Sequence, residues 1–199
     1  MTLANSQQTA TTWNDSCMVD TRMLFSDRSI ITMLHGIVLS GAALAGLAAA
    51  LFALIVLRAR DRDPLPSPRQ LRMLSVLLCL SAGALWLSAV AGTYGVFPLY
   101  RVTPPKDVTD LTMYPRALLL ANPNTAWLHS FAMEIKEHVP WIAAMLAAAA
   151  AFVVTHSPIR ALRDRSTYRA TVTLVAISLV LASWVGLLGV FVNKVAPVQ

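Results

Sequence analysis

The sequence predicts an all-α integral membrane protein, with four transmembrane helices in an up-and-down bundle and both termini outside. Three observations carry this. Of the 199 residues, 56% are apolar and the mean hydropathy is +0.60, too high for an ordinary water-soluble domain. The excess is gathered into four long apolar runs. The arginines cluster in two of the connections between those runs.

Taken in order, residues 1–29 form a polar outer tail without helical periodicity through about Ser16. Tails of this kind stay unfolded unless a neighbouring subunit holds them. The first helix is expected over residues 30–57, "IITMLHGIVLSGAALAGLAAALFALIVL", which begins too late and runs too long for a signal peptide. A connection at 58–72 leads to the second helix at 73–97, and an outer loop at 98–125 to the third at 126–155. A second connection, 156–169, precedes the fourth helix at 170–193, and residues 194–199 form an outer C-terminal tail. Crossing the hydrocarbon layer takes about 20 residues as a helix, and a backbone in lipid must satisfy its own hydrogen bonds. The third run meets that length only if its helix begins inside the charged stretch "LHSFAMEIKEHVPW". All four runs are apolar all round, unlike the one-sided faces of a soluble bundle.

Orientation follows from charge. "RARDRDPLPSPRQLR" holds five arginines and "THSPIRALRDRSTYR" four, whereas the loop from Phe97 to Ala126 holds three basic residues. Short loops rich in Lys and Arg stay cytoplasmic, so both termini and the long loop are expected outside a bacterial-type inner membrane. The net charge of +6 is therefore a topology signal. No basic face carries interleaved aromatics, so nucleic acid is not an expected partner.

Catalytic motifs are absent. There is no CxxCH, no CxxC, no glycine-rich phosphate loop, no GxSxG and no HExxH. Cys17 and Cys79 sit in the outer tail and inside the second helix. A transporter reading finds no broken helix pair or inverted repeat to support it. An electron-transfer or accessory subunit without independent catalytic activity is the expectation.

The four histidines point further. Counting about 20 residues from the inner helix ends, at roughly 1.5 Å each, puts His35 near the outer boundary. His138 falls about a turn inside it and His129 about a turn and a half outside. His156 lies alone at the inner end. Ionisable groups at membrane depth normally face the bundle interior, paired or ligating. Neutral imidazole is a good iron ligand, and four-helix bundles build cofactor sites from facing helices. The small residues Gly36, Ser40, Ala42, Ala43 and Gly46, with Ser81, Gly83, Ser88, Ala89 and Gly92, leave room for a flat macrocycle. In architecture the constellation is similar to the membrane subunits of b-type cytochromes, without a shared motif.

The expected site is thus one haem b near the outer face. His35 and His138 are its metal ligands, with His129 as the alternative on the third helix. Arg101, Arg116 and Lys136 stand where they could meet haem propionates. Glu134, one turn before His138, is placed to fix its tautomer, and Pro140 permits a kink below it. His138 is preferred over His129 as the more deeply buried of the two. Glu137 and Lys136 are otherwise assigned to solvent or to a pairing with the outer loop. That loop, rich in aromatics and proline, is expected to cap the bundle, with a short helix at "YPRALLLA". The expected partners are other subunits of a membrane complex, the lipid bilayer, and a periplasmic cytochrome or quinol. The alternative is a non-catalytic accessory subunit of a respiratory or photosynthetic complex. Its histidines would be structural or would ligate a chlorophyll-type pigment, or no cofactor would be bound.

Overall fold

The structure, a computed structural model, describes residues 27–59 and 66–197. The tail with Cys17, the arginines at 60 and 62, and the last two residues lie outside the described residues. Every regular element among the described residues is helical. Four helices are long and apolar enough to cross a membrane: α1 (Asp27–Arg58), α2 (Pro68–Tyr100), α4 (Pro123–His156) and α6 (Arg165–Val195). Two short ones, α3 (Pro115–Ala121) and α5 (Pro158–Arg163), lie in the connections. The chain is a multi-pass all-α membrane protein.

Local chemistry sets where these helices begin. Ser67 and Gln70 form a reciprocal capping box before α2: Ser67 Oγ accepts from the Gln70 amide at 3.3 Å, and Gln70 Oε1 from the Ser67 amide at 2.8 Å. Pro68 follows at the first helical position, where its missing N–H costs nothing. Asn122 caps α4 through the Asn124 amide at 2.9 Å. Asp164 caps α6, accepting from the Thr167 hydroxyl and amide, both at 2.7 Å. Those two bonds hold the Asp164 carboxyl below its ordinary range. With 31 to 34 residues each, the long helices run roughly 45–50 Å, well past a hydrocarbon layer of about 30 Å.

α1 packs on α2 and α6, and α4 packs on the same two, so the four long helices close a ring. The seam is alanine-rich. Ala43, Leu47, Ala50 and Leu54 of α1 are fully buried, as are Ala144, Ala147, Ala150 and Val154 of α4. Between helices in lipid, association depends on close van der Waals approach, which short side chains allow. Gly46 meets Ser81 at the α1–α2 crossing, and the buried Ser178 hydroxyl donates to the Ala143 carbonyl at 2.8 Å. Arg58 locks one end of the bundle. It donates to the carbonyls of Leu162 and Arg163 and lies 5.0 Å over the Tyr168 ring.

The other end is built differently. α3, within the expected "YPRALLLA", is tucked against the bundle, with Pro115 and Leu119 buried. Leu119 belongs to a second apolar cluster with Tyr100, Leu128, Met133, Leu188 and Val192. Three helices widen into π-helical turns here: Leu34–Ser40 in α1, Ala91–Val96 in α2 and Leu128–Ala132 in α4. Such turns are rare and concentrate at functional sites.

Candidate functional site

Where the alanine seam gives way to these π turns, a cavity of about 500 Å³ opens between all four long helices. That is within the range of small-molecule and cofactor sites, roughly 300–1,000 Å³. Gly36 and Ser40 of α1, Ala89 and Gly92 of α2, and Gly186 and Gly189 of α6 keep its walls thin. Pro140 of α4 also lines it; having no N–H, it leaves the Lys136 carbonyl without its helical donor.

His35 enters this cavity with its tautomer fixed by a chain of hydrogen bonds. Ser40 Oγ donates to the His35 main-chain carbonyl at 3.0 Å. Its single proton being spent, Ser40 accepts from Ser88 Oγ at 2.7 Å. Ser88 then has no proton left, so the contact of 3.2 Å to His35 Nδ1 is Nδ1–H donating to Ser88. The Nε2 lone pair remains free. The ring rests on α2, where a Cβ at Gly92 would stand 2.7 Å from Cε1 and 3.2 Å from Nε2.

His138 also lines the cavity. Its Nδ1 donates to the Glu134 main-chain carbonyl at 2.9 Å, again leaving Nε2 free. Two sequence expectations change here. The group that orients His138 is the carbonyl of Glu134, while the Glu134 carboxylate stays exposed and outside the lining. His138 is exposed too, on the face of α4 that presents Trp127 and Phe131 outward, so greater burial does not favour it over His129.

His129 is half-buried and outside the lining, bonded through Nδ1 to the buried Tyr100 hydroxyl at 2.8 Å. Tyr100 itself reaches the cavity, and the charges of Arg116, Arg101 and Glu137 act on the pair. Arg101 is exposed, 4.5 Å over the Phe97 ring, and Arg116 keeps a buried Nε without a hydrogen-bond partner. Neither arginine lines the cavity. Lys136 does, and so does Glu137, although the expectation from sequence for both is solvent or a pairing with the outer loop. His156 sits at the far end of α4, its Nδ1 donating to the Phe152 carbonyl at 3.0 Å.

No group of three or more His, Cys, Asp or Glu side chains is placed to hold a metal ion among the described residues. What this end of the bundle offers is two imidazoles with free Nε2 atoms, a set of hydroxyls, the Lys136 ammonium, the Glu137 carboxylate and the Asn193 amide, around a largely apolar space. No protein-family model, curated protein or solved structure matches this chain.

Proposed function

We propose that the chain is a membrane subunit that binds one haem b in this cavity and passes electrons within a membrane redox complex. One observation carries the reading: His35 and His138, on different helices, line the same cavity, each with Nδ1–H engaged and Nε2 free. The residues present suit that group in number and chemistry. Two neutral imidazoles would hold the iron, and the glycine-lined walls leave space for a planar ring. The haem supplies reversible one-electron chemistry. The protein's part is to hold His35 through Ser88 and Ser40, to hold His138 through the Glu134 carbonyl, and to surround the group with largely apolar walls.

Charge asymmetry supports an orientation with the cavity end, and both termini, outside a bacterial-type inner membrane. An up-and-down course fits the pairing of His35 with Ser88 and of Gly46 with Ser81, whose numbers run in opposite directions. Electrons would then be exchanged at the outer face with a periplasmic cytochrome or quinol. The bare outward faces of the helices suit neighbouring subunits.

A second reading is favoured by the exposure of His138. With His35 as the single ligand, the cavity would suit a chlorophyll-type pigment in an accessory subunit. One measurement separates the two: the absorption spectrum of purified protein, oxidised and then dithionite-reduced. Bis-imidazole haem gives a sharp reduced b-type band that His35→Ala and His138→Ala each abolish, while His129→Ala leaves it in place. A pigment spectrum insensitive to His138→Ala supports the second reading. Absence of any chromophore rejects both.

A further inference from the structure

Among the described residues, Lys136 is the one lysine or arginine that lines the cavity. It has no hydrogen-bond or ion-pair partner among them. Its ammonium sits in a niche of α6, with Nζ 3.4 Å from where a Cβ on Gly189 would stand. A side chain larger than alanine at 189 would contest that space. The cavity it enters is lined largely by apolar residues, Leu85, Val96 and Ala182 among them, with Asn193 one turn beyond Gly189. An ammonium held in such surroundings is strongly disfavoured unless an anion completes it. Glu137, which follows Lys136 directly and lines the same cavity, makes no ion pair with it.

We infer that Lys136, seated in the Gly189 niche, binds the carboxylate of an amphiphile that fills the cavity. The volume and apolar walls accept a bulky hydrophobic body, and Lys136 accepts its acidic head through a charge-assisted hydrogen bond. Two sources carry that chemistry: a haem propionate, in which case the inference rests on the function proposed above, or a fatty-acid carboxylate drawn from the lipid.

The test uses the full-length protein purified in mild detergent, with Lys136→Met and Lys136→Arg. If the wild type carries haem, Lys136→Met retains it with a lowered midpoint potential, because removing a nearby positive charge favours the ferric state. Lys136→Arg stays near the wild type. An unchanged potential in Lys136→Met overturns the inference and leaves the haem reading standing. If the wild type carries no haem, the haem reading fails, and oleate is the probe, followed by quenching of tryptophan fluorescence, since Trp141 lines the cavity. Lys136→Met should then bind oleate about tenfold more weakly or worse, as expected for a lost hydrogen bond to a charged group. Equal affinity in wild type and Lys136→Met, or no oleate binding, overturns the inference.

Discussion

The imidazole of His35 occupies the space that a side chain at position 92 would fill. A Cβ on Gly92 would lie 2.7 Å from His35 Cε1, closer than van der Waals contact permits. The glycine is therefore a steric requirement of the histidine on the facing helix. Gly92→Val should push the ring off α2 at a cost of about 1–3 kcal/mol, typical of overpacking. The expected result is a lower thermal unfolding midpoint in detergent together with loss of the wild-type chromophore. A variant that keeps both would show that the ring is free to move without consequence.

Ser88 is the hinge of the proton order around His35. It accepts from Nδ1–H and donates to Ser40, and it is buried. Ser88→Ala strands the imidazole N–H and costs about 1–3 kcal/mol for an unsatisfied buried donor. Ser88→Thr retains the hydroxyl and should restore most of the loss. Thermal unfolding of the two variants side by side checks this; equal midpoints for alanine and threonine would remove the hydroxyl from the explanation.

Much of the fold was legible because length and apolarity act over many residues. The four runs are helices, and "YPRALLLA" contains α3; the third helix starts earlier than its charged stretch, at Pro123, so that "LHSFAMEIKEHVPW" lies wholly inside it. The presence of His35 among small residues of two helices was legible for a similar reason. Rotation was not. Lys136 and His138 lie about 200° apart at ~100° per residue, so both cannot face α6, and depth counting says nothing about which one does. A helix apolar all round has no amphipathic face to fix its rotation, and here Lys136 faces the Gly189 niche while His138 is exposed. Glu137 was misplaced for the same reason. The π turns left no signal, since they depend on how helices fit at the cavity rather than on any residue type. The Tyr100–His129 bond joins residues 29 apart across a loop and could not be read from spacing.

The α1–α2 crossing makes a separate prediction. A side chain at Gly46 would overlap Ser81 Oγ and stand 3.3 Å from Ser81 Cβ. Ser81 is buried, with its hydroxyl donating to the Leu77 carbonyl at 2.7 Å, so it has little room to yield. Gly46→Leu should force the helices apart and lower stability by about 1–3 kcal/mol. Gly83 has nothing within 4 Å of its would-be Cβ, and Gly83→Leu serves as the control with little effect. Similar losses from both substitutions would show that leucine in these helices, rather than the crossing, is responsible.

The last prediction concerns which side of the membrane the cavity faces. Arg58, held by the carbonyls of Leu162 and Arg163, marks the end of the bundle opposite the His35 cavity. In the sequence, the two connections over 58–72 and 155–169 together hold nine arginines. Lys and Arg in short loops resist translocation, so the Arg58 end is predicted to lie in the cytoplasm and the cavity outside. Reporter fusions after Ser67 and Ser166 should read cytoplasmic, and fusions after Pro123 and Gln199 external. Neutralising Arg160, Arg163, Arg165 and Arg169 together should weaken the preference and give mixed signals at Pro123. An external signal at Ser67 would turn the cavity toward the cytoplasm. Exchange with a periplasmic cytochrome would then be excluded, and any redox partner would have to be cytoplasmic or dissolved in the lipid.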